Sequence, residues 1–202
     1  QGYTDEVELE IERRAGLAGA PLHMRGRDWW ADVGPETNGA IEYRDRFGEL
    51  TLPLPALAGR HQGDNAALAV AMLRHQDYVA VAPEAMAAGI RAARWPARLQ
   101  PLGAGPLTAL AAGHQVWLDG GHNADAGLAI GRHFAEQTLH LVIGMLANRY
   151  PEAIIAPLEG RLLSVTAVPI QGSDSHGAGA YGNRARWADS VEAALAALPA
   201  DG

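Results

Sequence analysis

The spacing of apolar residues changes period several times along the chain, and each change marks an element. In TDEVELEIERRAGLAG, Val7, Ile11 and the Ala15/Ala18 pair recur at helical spacing, with Thr4 where an N-cap belongs and Gly16 or Gly19 where the helix stops. PLHMRGRDWW places Leu22 and Met24 on one side of a short strand. The period then becomes two. Ile41 and Tyr43 precede a polar turn, Asp45 to Gly48, and Leu50, Leu52 and Leu54 follow it, which predicts a β-hairpin ended by Pro53 and Pro55. GDNAALAVAMLRH and PEAMAAGIRAARW return to helical spacing as two Ala-rich helices, the second with Pro83 in its first turn.

Past WPARLQPLGAGP, short apolar runs alternate with helices. HQVWLD is followed by a helix from about Ala124, LHLVIGML by a helix from about Tyr150, and LLSVTAVPI by a helical ARWADSVEAALAALP. Strand and helix in alternation predict an α/β fold with a mostly parallel sheet, helices covering it on both faces. The expected boundary falls near Trp95 to Gln100, giving domains 1–95 and 96–202. Residues 171–183, QGSDSHGAGAYGN, read as a small-residue loop.

Composition narrows the function classes. An apolar fraction of 48% with 19% charged residues predicts a sizeable core. A net charge of −7 argues against general affinity for nucleic acid or an anionic membrane, both of which need clustered cations. The absence of cysteine excludes disulfides and thiolate metal sites and fits a reducing compartment. No run of 18 apolar residues is present, and the first residues lack the basic-then-apolar order of a secretory signal. A cytoplasmic location is the expectation.

The chemistry concentrates in three short stretches. WLDGGHNADAG, residues 117–127, carries an acid, two glycines and a His-Asn pair from a strand end into a helix. At such an end Asp119 can accept hydroxyl hydrogen bonds from a ribose, and His122 beside a helix N-terminus can meet a phosphate or carboxylate. Asp119 and Asn123 can equally be simple helix caps. GRHQGDNAALA sets Gln62 and Asn65 one helical turn apart, an amide pair suited to a purine edge or to starting a helix. RWPARLQ puts Arg98 just past Pro96, where a guanidinium can reach a phosphate or stand free on the surface.

Taken together and in this order, H-Q-x-x-N-A, W-P-x-R-L-Q and D-G-x-H-N resemble the folylpolyglutamate synthase and dihydrofolate synthase group of the Mur ligase superfamily. LVIGMLANR, residues 141–149, resembles the next strand and loop of that group. The resemblance covers nearly the whole chain, as the tail of a central Mur-ligase-like α/β domain followed by a Rossmann-like C-terminal domain. It implies that Asn65, Arg98 and Asp119 bind ATP through base, phosphates and ribose, with Gln62 beside Asn65. It also implies that His122 lies near the γ-phosphate and the incoming L-glutamate. Ser173, Ser175 and His176 lie in a loop where they reach glutamate or simply face solvent.

The group's Gly-rich phosphate loop with its Lys is not found in this sequence, whose basic residues are all Arg. The resemblance therefore implies a missing N-terminal phosphate-loop domain, which would also carry most ligands of Mg²⁺; no metal residue is assigned in this chain. The activity implied for the complete protein is ATP-dependent addition of L-glutamate to dihydropteroate or a folate through an acyl phosphate. The chain alone is expected to be inactive. A standalone nucleotide- or glutamate-binding module without catalysis is the competing expectation.

Other residues point nowhere. His61 and His122 lack a third ligand at zinc spacing. Ser164, Ser173 and Ser175 lack a G-x-S-x-G elbow, and the five tryptophans are scattered rather than spaced as a stacking platform.

Overall fold

Burial alternates along WWADV, with Trp29, Ala31 and Val33 inward and Trp30 and Asp32 outward, so these five residues form the first strand. The computed structural model of the chain describes residues 4–200. They divide into two compact units, one running to Ala56 and including Arg60–Arg94, the other made of Leu57–Gly59 and everything from Trp95 onward.

The first unit begins with α1 (Asp5–Ala18), whose C-cap Gly19 is left-handed. Thr4 occupies the N-cap but makes no side-chain cap hydrogen bond, and none of the helix is buried. The strand expected at Leu22 and Met24 lies instead at β1 (Trp29–Val33). Residues 24–29 form a turn in which the Met24 amide donates to Asp28 and the Asp28 amide donates back to the Met24 carbonyl. A backbone so occupied has nothing left for a ladder.

The predicted hairpin is present as β2 (Ala40–Asp45) and β3 (Gly48–Pro53), antiparallel, with β1 added on the other side of β2. Register brings Ala31 and Leu50 opposite Tyr43, and Val33 and Leu52 opposite Ile41. α2 (His61–Arg74) and α3 (Pro83–Ala92) supply Ala67, Val70, Ala71, Met86 and Ile90 to the same core.

A charged network pins the hairpin turn to the end of α2. The side chain of Asp45 is fully buried, and Arg74 donates to its two oxygens at 2.7 and 2.6 Å. Tyr43 Oη and the Phe47 amide also donate to it. Burial opposes its ionisation, but the hydrogen bonds from Arg74, Phe47 and Tyr43 outweigh that and hold the carboxyl below its ordinary range.

His75 packs beside this network. Its ring lies 4.3 Å from that of His23, and its Nε2 stands 3.3 Å from Asp45 Oδ2, outside hydrogen-bond geometry. Burial, and then His23, push its pKa down, Arg46 adds to this, and Asp45 and Asp28 oppose it. The unfolded chain therefore takes up a proton that the folded one refuses. Stability contributed by neutral His75 is complete above about pH 6.5 and declines as pH falls toward the lowered folded value. Urea unfolding at about pH 7.5 and 5.5 should show this loss and should show less of it in His75→Gln. Equal pH slopes for the two proteins would exclude His75 as its source.

In the second unit β4 (Gln100–Pro101) pairs antiparallel with β5 (Trp117–Leu118). α4 (Ala124–His133) follows, then β6 (Leu139–Ile143), α5 (Glu152–Ile155), β7 (Leu162–Ala167), β8 (Arg186–Trp187) and α6 (Val191–Ala196). β6, β7 and β8 form a parallel sheet in that order. The alternating strands and helices predicted from the sequence are thus present, with two differences. β5 does not join the parallel sheet but pairs with β4, and the Leu102 amide bonds the Val116 carbonyl beside that ladder. A cavity of about 390 Å³, lined by Val116, Leu118, Phe134, Leu139 and Leu141 among others, lies between that segment and β6. The last predicted helix also starts later, after β8, because Ser190 caps it by accepting from the Ala193 amide.

α4 is seated against α5 by close approach. A Cβ on Gly127 would overlap the Ala153 carbonyl, so only glycine lets α4 lie against α5. Ile143, Met145, Ile154, Leu158, Ala167 and Tyr181 form the core beneath. No helix among the described residues is long and apolar enough to cross a membrane.

Candidate functional site

The short β4–β5 ladder places two loops at one end. Gln100 lies opposite Leu118, so residues 97–99, which lead into β4, meet residues 119–121, which leave β5. Two hydrogen bonds join them and a third braces the first loop on itself. The Leu99 amide donates to Asp119 Oδ2 at 2.7 Å, the Gly120 amide donates to the Ala97 carbonyl at 2.9 Å, and the Ala97 amide donates to Gln100 Oε1 at 2.9 Å. Asp119 Oδ1 accepts from the Gly121 amide at 2.6 Å. Both carboxylate oxygens thus hold backbone, each keeping a further lone pair for a ligand hydroxyl.

Arg98 sits in the middle of this clamp. Its Nη1 would be 3.8 Å from a Cβ placed on Gly120, so the guanidinium lies against the glycine turn that precedes α4. Among the described residues, no carboxylate pairs with it. A half-buried cation without a counter-charge, beside backbone amides at a helix start, favours an anion.

The neighbouring residues divide between scaffold and surface. Asn123 caps α4, its Oδ1 accepting from the Ala126 amide at 2.9 Å. His122 is exposed, with Nδ1 3.2 Å from the Gly120 carbonyl. Gly121 is required sterically: a Cβ there would come within 2.7 Å of both Ala126 Cβ and Asp119 Oδ1.

Ser173 and Ser175 lie in the loop after β7. The Ile170 amide donates to Ser175 Oγ at 3.3 Å, and Ser173 is exposed. That loop is tied to the one after β6, where Ala147 donates to Asp174, His176 donates to Met145, and the His176 ring meets the Arg149 carbonyl at 2.8 Å. Among the described residues, no hydrogen bond joins this pair of loops to Asp119 or His122. Arg98, Asp119 and His122 are therefore brought together, and the two serines are held separately.

Gln62 and Asn65 belong to the first unit, in the opening turns of α2. Asn65 is exposed and donates to Gln62 Oε1 at 3.3 Å, while Gln62 is buried with its Nε2 2.9 Å from His61 Nε2. Asn65 is the member of the amide pair that faces outward. Among the described residues no group of three His, Asp or Glu side chains converges as a metal cage.

No family model matches the chain. A probable bifunctional folylpolyglutamate synthase/dihydropteroate synthase of Halobacterium salinarum is 30% identical over 161 residues, covering 77% of this chain and 18% of that protein. The folylpolyglutamate synthase of Lacticaseibacillus casei is 29% identical over 172 residues, covering 82% of this chain and 35% of that protein. A solved bifunctional folylpolyglutamate synthase/dihydrofolate synthase from Yersinia pestis, complexed with AMPPNP and a Mn ion, superposes with a TM-score of 0.70 at 26% identity. The match covers 92% of this chain and 43% of that structure.

Over most of its length the chain is similar to part of the folylpolyglutamate synthases. It spans less than half the length of each of these proteins. Its mixed α/β architecture, with the parallel β6–β8 sheet, is that of the C-terminal domain of folylpolyglutamate synthases. Gln100, absent from the residues singled out in the sequence, emerges only from the fold: its side chain bonds back three residues to Ala97.

Proposed function

We propose that this chain is the C-terminal part of an ATP-dependent ligase that adds L-glutamate to dihydropteroate or a folate through an acyl phosphate. The observation that carries the reading is the unpaired Arg98 guanidinium against Gly120, clamped beside Asp119 at the start of α4. Such a site suits a nucleotide, with phosphate toward Arg98 and the N-terminus of α4, and ribose hydroxyls toward the remaining lone pairs of Asp119. The Yersinia pestis relative, solved with AMPPNP and Mn, supports a nucleotide and a divalent cation. In this reading residues 1–95 are the tail of the ATPase-type domain and residues 96–202 the C-terminal domain. A preceding phosphate-loop domain would supply most of the metal ligands.

The chemistry asks little covalent work of these residues. A carboxylate is a poor electrophile, so the acceptor's carboxylate attacks the γ-phosphate, ADP leaves, and the acyl phosphate becomes the target of glutamate's amine. Phosphate then departs from the tetrahedral intermediate, giving the amide. Arg98 offsets negative charge gathering on the phosphates, Asp119 holds the ribose, and His122 is assigned to the γ-phosphate and glutamate. Ser173 and Ser175 are assigned to the glutamate side.

In the complete polypeptide, Arg98→Ala should lower kcat for ATP-dependent glutamate addition by roughly tenfold to a hundredfold, as loss of a charge-assisted bond does. KM for glutamate should change little. Formation of ADP together with the glutamylated product, followed with pteroate and folate acceptors, checks both the activity and the role. A polypeptide that makes no such product on either acceptor would overturn the ligase reading in favour of a binding module.

A further inference from the structure

The two residues on either side of Arg98 both adopt left-handed backbone conformations, although neither is glycine. Ala97 has φ of 56° and Leu99 has φ of 42°. A side chain at such a φ crowds the following carbonyl, so these conformations persist only where the surroundings over-determine them. Ala97 is held by its amide bond to Gln100 Oε1 and by its carbonyl bond to the Gly120 amide. Leu99 is held by its amide bond to Asp119 and by a side chain that is almost fully buried. Arg98 is thus held between two strained residues, with its guanidinium against Gly120.

We propose that Gln100 is a positioning residue for Arg98. The inference rests on the nucleotide reading of the Arg98 site. Gln100 is itself anchored, because its backbone pairs with Leu118 in the β4–β5 ladder and its residue is half-buried. Its side-chain carbonyl therefore has a fixed origin from which to hold the Ala97 N–H. Removing that acceptor leaves Ala97 free to relax to negative φ, which swings the following residue and carries the guanidinium away from Gly120. The Gly120 amide does not replace it, since it bonds the Ala97 carbonyl and not the Ala97 N–H. Gln100 touches no substrate in this account; it acts only through the geometry of Arg98.

A double-mutant cycle in the complete ligase tests this, with Gln100→Met as a side chain of similar length that lacks the acceptor. The single variant should lower kcat by roughly ten- to a hundredfold, the scale of an ångström-sized misplacement of a charged group, with KM for glutamate near its original value. In an Arg98→Ala background the same substitution should add almost nothing, because there is no guanidinium left to place. Adding Ala97→Gly to Gln100→Met should restore most of the lost turnover, since glycine takes the left-handed conformation without help.

Outcomes separate the two layers of argument. If Arg98→Ala is silent, the nucleotide reading of the site falls and the positioning role falls with it. If Arg98→Ala impairs turnover but Gln100→Met is silent or fully additive with it, only the positioning role is overturned. If Gln100→Met impairs turnover and glycine at position 97 gives no recovery, the effect does not run through the strained loop and the inference is likewise overturned.

Discussion

Arg74→Ala is expected to destabilise the first unit by about 3–5 kcal/mol, the usual result of leaving one member of a buried ion pair alone. The geometry meets the conditions for the upper part of that range. Asp45 has 0% side-chain exposure and Arg74 11%, and the guanidinium engages both carboxylate oxygens. Its plane also lies over the rings of Tyr43 and Phe47, at 5.6 Å from each, so truncation removes packing as well as charge. Tyr43 Oη and the Phe47 amide would remain on Asp45, but they bring no counter-charge.

Hydrogen exchange of the β2 and β3 amides is the suitable probe, because a chain of two units need not unfold in one step. The companion Asp45→Asn/Arg74→Leu variant should recover much of the loss, since it removes the buried charge along with its partner. A loss below about 1 kcal/mol for Arg74→Ala would place the pair with weak surface bridges instead.

How much of this was legible in the sequence varies with the range of the interaction that decides each feature. The β2–β3 hairpin, α2, α3 and the parallel β6–β7 pair follow from local periodicity, which the core then uses directly. Asn123 as a cap is also local, being decided by a bond to Ala126 three residues on. Leu22 and Met24 show the limit of the same logic: their alternation is genuine, yet the Met24–Asp28 turn claims the backbone. β5 fails for a related reason. An apolar run announces a strand but not its partner, and here β4 is the partner.

The site follows the same rule. Arg98, Asp119 and His122 were visible as chemistry, whereas the clamp that joins them was not. The Leu99–Asp119 bond spans 20 residues and the φ values of Ala97 and Leu99 leave no mark on residue type. Gln100 carried no signal beyond its presence in WPARLQ.

Asp119→Ala should therefore do more than remove the ribose contact proposed for it. It frees the Leu99 and Gly121 amides from their acceptor, and unpaired amides at about 1–3 kcal/mol each make a loss of roughly 2–6 kcal/mol in the local structure. In the complete polypeptide the KM for ATP should rise by at least about a hundredfold, equivalent to roughly 2.7 kcal/mol, and turnover should fall with it as Arg98 loses its flanking support. Asp119→Asn separates the two roles. Its amide oxygen can still accept from Gly121, but its NH₂ would face the Leu99 N–H, donor against donor. A residue that served only as a ligand to ribose would tolerate this exchange, because the amide oxygen also accepts hydroxyl bonds. A residue that clamps two loops would not. Amide exchange at Leu99, followed without nucleotide, decides between them: faster exchange in both variants is the expected result, and unchanged protection would confine Asp119 to the ligand.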